Sequence, residues 1–260
     1  MKLLEAKSVQ TTALKHSIEA LKEVLTEANI EATENGLKLI TMDLTKTILV
    51  HLVLDADNFE HYHCSQKLIL GVSLLNFYKL IKTVTNNDTI NLFIEESNPN
   101  ILGIQFINSE KERETTYKLK LMDLNEQKID VPPAEFNTTI TLPSDDFQKY
   151  CRDMSILSDT IEIKSVSNKL YLNCDGDFAS QSIILGETNH GMSFTKNDNN
   201  DEIIQGYFNL KHLVNFTKCT NLCNLVEIYL KNNFPMIIKF DVGTLGRLKL
   251  ALAPKSPSEN

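Results

Sequence analysis

The sequence lacks the signatures of the common catalytic sites. No GxxxxGK[ST], GxGxxG, HExxH or GxSxG motif occurs in its 260 residues, which leaves the phosphate-loop, dinucleotide, zincin and hydrolase classes without support. No carboxylate pair, and no serine or cysteine with a histidine, stands out as a catalytic group. We therefore expect a protein that is not an enzyme and that needs no cofactor.

Patterns that would hold a disulfide or a metal are also scarce. The five cysteines are odd in number and form no CxxC pair, which favours reduced thiols. His61 and His63 share one face of a strand while Cys64 points away, and two ligands do not close a zinc site. The acidic stretches at 55–60 and 197–202 lack the glycine of a calcium loop. We predict no metal site.

Long apolar runs and excess positive charge are missing as well. No window approaches eighteen apolar residues, and the start MKLLEAKSVQ is too charged for a signal peptide. The chain has 26 basic and 34 acidic residues, a net charge of −8. This total argues weakly against a protein that grips nucleic acid over its whole surface, but it permits a local basic strip.

Four stretches have the apolar spacing of amphipathic helices. In the first, Leu14, Ile18, Leu21 and Leu25 recur on one helical face. The other three are LLNFYKLIKTV from residue 74, SDDFQKYCRDM from residue 144, and LKHLVNFTKC from residue 210. Pro143 with Ser144 supplies a helix-start signal for the third.

Between these stretches lie short runs that alternate apolar and polar residues, which is typical of half-buried antiparallel strands. Glu34-Asn35-Gly36 is a hairpin-like turn signal. The runs are GLKLITM, ILVHLVL, INLFIEE, ILGIQFI, YKLKLM, TIEIKSV, KLYLNC, VEIYLK and PMIIKF.

An internal repeat divides the chain into two similar halves. Residues 74–94 align with 210–230 at a constant offset of 136, so that a helix, a turn and a strand recur together. We predict an α+β protein in which each half packs two helices on antiparallel sheet. The predicted segments are a first domain at 1–121, a connecting loop at 122–136, a second domain at 137–255 and a flexible tail at 256–260.

Each predicted helix carries two basic residues spaced three or seven apart, which places them on one helical face. Amphipathic helices commonly expose lysine to water, so one such pair carries little information. With four such pairs in an acidic protein, a shared polyanionic partner explains them as well as ordinary exposure to water does. The eight residues are Lys15, Lys22, Lys79, Lys82, Lys149, Arg152, Lys211 and Lys218.

The middle of the chain, KIDVPPAEF at 128–136, is unusual for a loop. Its two prolines indicate extended backbone. In such a backbone Ile129 and Val131 point to the same side, which gives the loop an apolar face. These two side chains either pin the loop to a sheet or form a binding surface.

Six ordered segments resemble one family. They are LEAKSVQ, LITMDLTKTILVHL, HYHCSQKLILGVSLLNFYKLIK, KLKLMDLNEQKIDVP, CRDMS and LGRLKLALAPK. In this order they resemble the eukaryotic-type DNA sliding clamp, the proliferating cell nuclear antigen family. The resemblance implies the DNA-clamp fold and a homotrimeric ring around double-stranded DNA, with the eight basic residues turned toward phosphates. It implies a nuclear protein, or one of a cytoplasmic replication site if viral.

The resemblance also implies a pocket under the interdomain loop. Such a pocket binds DNA polymerase, the clamp loader and other proteins through Gln-x-x-aliphatic-x-x-aromatic-aromatic peptides. The matching residues are Met42, Leu49, Ile129, Val131, Pro132, Pro235, Ala251, Ala253 and Pro254.

This sequence departs from the family pattern at several positions. Ala251 stands where a tyrosine is usual, and Lys46 replaces a histidine. His16 replaces a lysine on the first helix, and Ser167 stands where many members have the lysine used for ubiquitin attachment. These differences indicate a divergent member with altered partner preference.

Two other interpretations remain. A clamp-like subunit could act as a monomer or dimer that holds DNA by a basic face. Binding DNA without a closed ring would favour more positive charge than this chain has. A nucleic-acid-modifying enzyme would belong to a different class, against which the missing catalytic motifs argue.

Overall fold

The computed structural model describes residues 1–125, 129–131, 134–189, 191–196 and 203–255. The first half of the chain contains α1 (Thr11–Leu21), α2 (Leu74–Ile81), β1 (Lys2–Ser8), β2 (Glu27–Thr33), β3 (Gly36–Met42), β4 (Ile48–Asp55), β5 (His61–Cys64), β6 (Leu68–Ser73), β7 (Thr89–Glu95), β8 (Ile101–Asn108) and β9 (Arg113–Lys120). A short 3-10 helix spans Ala56–Asn58.

The second half contains α3 (Ser144–Ser155), α4 (Leu210–Phe216), β10 (Thr138–Pro143), β11 (Thr160–Val166), β12 (Lys169–Asp175), β13 (Ser180–Gly186), β14 (Ser193–Lys196), β15 (Ile204–Asn209), β16 (Leu225–Leu230), β17 (Met236–Val242) and β18 (Gly246–Leu252). A 3-10 helix at Thr217–Leu222 follows α4 directly. None of the described helices is long and apolar enough to cross a membrane.

The chain forms two compact units. Unit 1 comprises Met1–Leu44, Val50–Ile129 and Asp241–Leu248. Unit 2 comprises Thr45–Leu49, Asp130–Phe240 and the chain from Lys249 onward. Strand β18 therefore contributes its first three residues to unit 1 and the rest to unit 2.

Unit 1 is built on antiparallel strands. One group has the order β5-β1-β7-β8-β9, and a second has the order β4-β3-β2-β6. The β2–β3 hairpin turns at Glu34-Asn35, as predicted, and Thr33 pairs with Gly36. Gly36 has a φ of +130°, and a Cβ there would lie 2.1 Å from the Leu54 carbonyl oxygen, so only glycine fits this turn.

Unit 2 repeats this plan. Its strand groups have the orders β14-β10-β16-β17-β18 and β13-β12-β11-β15, each the counterpart of an order in unit 1. The correspondence extends the predicted repeat from one helix, turn and strand to the full set of elements. The predicted α+β fold with two similar halves is confirmed.

The predicted helices form and bury the predicted faces. Leu14, Ile18 and Leu21 of α1 are buried, as are Leu74 and Phe77 of α2. Their neighbours on the other faces remain in contact with water, as the 3.6-residue period requires.

Equivalent helices also begin in the same way. The Ser73 side chain accepts a hydrogen bond at the start of α2, and Asn209, 136 positions later, does so at the start of α4. Such N-caps satisfy backbone N–H groups that have no partner within the helix.

Helix α3 begins at Ser144, as the helix-start signal indicated, and the Ser144 hydroxyl donates to the Cys223 carbonyl at 2.5 Å. One helix end differs from the expectation. Helix α4 ends at Phe216, so Lys218 lies in the following 3-10 helix. The Thr217 and Thr220 hydroxyls bond to carbonyls three residues earlier in this segment, which suits the tighter 3-10 winding.

Asp88 connects several elements of unit 1. Its buried carboxylate accepts hydrogen bonds from Asn108 at 2.8 Å and from the backbone of Thr85 at 2.8 Å, and it forms an ion pair with Arg113 at 3.1 Å. Its carbonyl accepts a bond from the Thr11 hydroxyl at the start of α1. Burial by itself would raise the pKa of Asp88, but the bonds from Asn108 and Thr85 and the charge of Arg113 hold that pKa below its ordinary value.

We predict that Asp88→Ala lowers the free energy of unfolding by about 2–4 kcal/mol at neutral pH, because charge-assisted bonds are removed and buried donors remain unpaired. Urea unfolding monitored by circular dichroism measures this effect, with the exposed Asp177→Ala as the control. Since the folded-state pKa is lowered, the difference from wild type should be full above the ordinary aspartate range and shrink as the pH falls through the folded-state pKa. A difference independent of pH would contradict this role.

Candidate nucleic-acid interface and partner surface

The predicted DNA-facing residues of unit 1 differ in whether neighbouring groups engage their charge. Lys79 and Lys82, on α2 and directly after it, are exposed and form no ion pair among the described residues. Lys15 Nζ instead donates to the Val84 carbonyl at 3.4 Å. Among the four helix candidates of unit 1, only Lys79 and Lys82 therefore present a charge that no described neighbour engages.

Lys22 belongs to a network between α1 and α2. Its ammonium group pairs with Glu23 and lies 4.9 Å from the centroid of the Tyr78 ring. The Tyr78 hydroxyl donates to Glu19 at 2.7 Å, and this bond raises the pKa of Tyr78 to about 12. His16 also contacts Glu19, at 3.3 Å.

Glu19 remains ionised in this network. Burial would raise its pKa, but the hydrogen bonds from Tyr78 and His16 and the nearby positive charges hold the pKa of Glu19 below its ordinary value. The charge of Lys22 is thus partly neutralised, and the sequence pattern alone did not indicate this.

The basic residues of unit 2 are more accessible. Lys149 and Arg152 of α3 and Lys211 of α4 are exposed and have no ion pair among the described residues. Lys218 is exposed in the 3-10 helix that follows α4. The first turn of α3 contains two acidic residues, Asp145 and Asp146, which are favourable at a helix N-terminus.

Exposed cations without an ion pair among the described residues, interleaved with carboxylates, thus occur in both units: Lys79 and Lys82 in unit 1, and Lys149, Arg152 and Lys211 in unit 2. Each cation can contact a phosphate without first breaking an ion pair. Glu19, Glu23 and Asp153 reduce the net positive potential of the same helices. Such an arrangement favours weak, salt-sensitive contact with a polyanion over tight or sequence-specific binding.

The start of the predicted connector is held by unit 1. The Leu121 N–H donates to the Asn100 carbonyl at 2.9 Å, and the Met122 N–H donates to the Gly71 carbonyl at 2.8 Å. The Asn29 side chain donates to the Leu124 carbonyl at 3.3 Å.

The end of the connector is held by unit 2. The Phe136 ring packs edge-on against Tyr229 and Phe234, with centroid distances of 5.6 and 5.7 Å. Phe234 directly precedes the candidate residue Pro235. Residues 129–131 thus lie between two anchored ends.

The apolar candidates retain access to water in both units. Met42 in unit 1 is 39% exposed and Val131 in unit 2 is 45% exposed. Pro254 is exposed, and the half-buried candidates are Leu49, Ile129, Pro235, Ala251 and Ala253. Pro132 lies outside the described residues, as does the predicted tail.

The C-terminal segment of unit 2 has a fixed position. The Ala253 N–H donates to the Thr47 carbonyl at 3.0 Å, and the Lys255 N–H donates to the Tyr207 carbonyl at 2.8 Å. The Lys255 side chain also donates to the Thr160 hydroxyl. Ala251, Ala253 and Pro254 are therefore presented from an ordered strand end.

The sequence interpretation missed Leu44, which is 91% exposed in the turn after β3. The available signal was a leucine within DLTKT, where turn residues are usually small or polar.

Candidate metal ligands do not assemble in the described residues, which contain no group of three or more His, Cys, Asp or Glu side chains suited to a metal ion. His61 lies 3.7 Å from Glu5 of the neighbouring strand. All five cysteines lie in the described part of the chain, and none forms a disulfide. Cys219 is buried, whereas Cys223 is only half-buried.

Comparison with known proteins covers nearly the whole chain. Residues 3–129 match the family model of the proliferating cell nuclear antigen N-terminal domain, and residues 130–255 match that of the C-terminal domain. A protein of Paramecium bursaria Chlorella virus 1 named "Probable DNA polymerase sliding clamp 1" is 34% identical over 97% of each chain.

Two cellular relatives are similar over the same length. Proliferating cell nuclear antigen of Chaetomium thermophilum is 32% identical, and proliferating cell nuclear antigen 2 of Drosophila melanogaster is 31% identical. Each alignment covers 97% of this chain and 98% of the relative. The chain therefore belongs to the proliferating cell nuclear antigen family.

Proposed function

We propose that this protein is a DNA sliding clamp, a processivity factor that encircles duplex DNA and holds a DNA polymerase on it. Family membership along the whole chain carries the proposal. The exposed cations on or directly after the helices of both units support it. The protein acts without catalysing a reaction. It works in the nucleus, or at a viral replication site.

Weak attraction to phosphates suits such a clamp. A sliding ring must not bind bases tightly, because tight or specific contacts would stop its movement along the duplex. The exposed lysines and arginine supply non-specific attraction, and the carboxylates among them limit its strength. The net charge of −8 disfavours DNA binding elsewhere on the surface.

We propose that three chains close the ring through two different strand edges. Strands β9 in unit 1 and β13 in unit 2 end their sheets, with no further strand paired to either among the described residues. An unpaired edge is a template for another chain. Because the two edges differ, their contact is head-to-tail, and such contacts can close into a ring.

The residues on the two edges support this pairing. Ile184 of β13 is 59% exposed, an apolar side chain that a neighbouring chain can cover. β9 has three basic residues and one acidic residue, whereas β13 has no charged residue that would repel them.

We also propose that partner proteins dock on the apolar surface of the connector. Val131, Ala253 and Pro254 in unit 2 offer apolar area to a Gln-x-x-aliphatic-x-x-aromatic-aromatic peptide. In unit 1, Met42 is exposed and Ile129 is half-buried. Burial of one such side chain contributes about 1.5–3 kcal/mol. The proposed domains are 1–121 and 137–255, with 122–136 as the connector between them.

The ring can be tested by mass. We predict that light scattering gives a mass three times that of the 29.5 kDa chain. Ile184→Lys should shift the protein to single chains at micromolar concentration, because it removes apolar contact and adds positive charge opposite a basic edge. Ile156→Lys makes the same change at an exposed site outside the strands and should remain trimeric. A wild-type mass of one or two chains would instead favour an open, clamp-like subunit.

The DNA-facing cations can be tested with two variants of equal net charge. We predict that Lys82→Glu with Lys211→Glu weakens duplex binding and flattens its salt dependence, by about 0.9 in the slope of log K against log [salt] for each phosphate that is no longer neutralised. Lys7→Glu with Lys169→Glu changes exposed strand lysines and serves as the control. Fluorescence anisotropy measures both. Equal weakening in the two variants would mean that total charge, not the helices, controls binding.

The partner surface can be tested with a labelled Gln-x-x-Leu-x-x-Phe-Phe peptide. We expect Ile129→Ser with Val131→Ser to weaken peptide binding at least tenfold, because burial of each apolar side chain contributes about 1.5–3 kcal/mol. The trimer mass should not change. Ile156→Ser with Leu225→Ser removes two other exposed apolar residues and should bind normally. Unchanged affinity in the first variant would refute the connector as the docking surface.

A further inference from the structure

Leu44 is the most exposed large hydrophobic residue among those that the structure describes. Its exposed fraction is 91%, above that of Met1 at 85% and of every other such side chain described. Met42, two residues earlier, is itself 39% exposed. Single apolar residues on a surface are common, so exposure alone does not indicate a binding site. The structure of the turn that presents Leu44 is the more informative observation.

The turn that follows Leu44 is linked by hydrogen bonds. The hydroxyls of Thr45 and Thr47 are hydrogen-bonded to each other, and Lys46 has a left-handed φ of +58°. The Thr47 carbonyl accepts the Ala253 N–H at 3.0 Å. The turn is therefore tied to the C-terminal segment that presents Ala251, Ala253 and Pro254.

We infer that Leu44 is an additional anchor of the partner surface and determines which partners this protein prefers. The inference rests on the proposed docking of peptides at the connector, and Leu44 extends that surface beyond the residues that the family resemblance indicates. Its occupant is an apolar side chain of the partner peptide, adjacent to the core Gln-x-x-aliphatic-x-x-aromatic-aromatic motif. A water-exposed leucine gains from such burial, and the hydrogen bonds of the turn that follows it limit the backbone entropy lost on binding.

Two peptides with the same core motif test this inference. One has leucine immediately before the glutamine and immediately after the aromatic pair, and the other has serine at both positions. Wild-type protein should bind the leucine-flanked peptide about tenfold more tightly, as expected for partial burial of two leucine side chains against each other. Leu44→Ser should abolish this preference while binding the serine-flanked peptide as wild type does. Ile156→Ser is the matched control and should retain the preference.

Four outcomes would overturn the inference. Wild-type protein without a preference, or Leu44→Ser protein that retains one, refutes the role of Leu44. In both cases the proposed docking site stands if Val131→Ser still weakens binding of the serine-flanked peptide. If neither peptide binds the wild-type protein, or Val131→Ser has no effect on either, the docking site fails and the role of Leu44 fails with it.

Discussion

Burial of one apolar face of each helix is the interaction on which the arrangement of charges depends. Phe77 in α2 and Phe147 in α3 are almost inaccessible to water, and each fixes the rotation of its helix about the helix axis. Once that rotation is fixed, Lys79 and Lys149, each two residues later, lie on the solvent-exposed face of their helix. The same packing that stabilises each unit thus presents its cations to a polyanion.

The two halves satisfy their helix ends by equivalent contacts. The Thr11 hydroxyl donates to the Asp88 carbonyl, and the Ser144 hydroxyl donates to the Cys223 carbonyl, so the first helix of each half is tied to the turn after its second helix. These bonds satisfy polar groups that would otherwise be buried without partners. The repeat therefore extends to the hydrogen bonds that hold each helix pair in place, even where the residue types differ.

Some strands were predictable from the sequence and others were not. The predicted runs, such as GLKLITM at β3 and TIEIKSV at β11, have clear alternation and many β-branched or large apolar residues. β2, EANIEAT, has alanines and glutamates that favour helix, and β13, SQSIILG, has few alternating residues. Both form because neighbouring strands supply their hydrogen-bond partners, and strand preference depends strongly on that context.

Local spacing is enough to specify the four helices, the duplication, most basic residues on or beside those helices and the apolar character of the connector, because residue order along the chain preserves it. It did not specify that α4 ends before Lys218. Long-range packing was needed to show that Lys22 is engaged by Glu23 and Tyr78 and that Leu44 is exposed. It also decided that β9 and β13 end their sheets among the described strands. Charge pairing, strand order and solvent access each depend on which segments, distant in the sequence, come into contact. The linear order of residues does not specify those contacts.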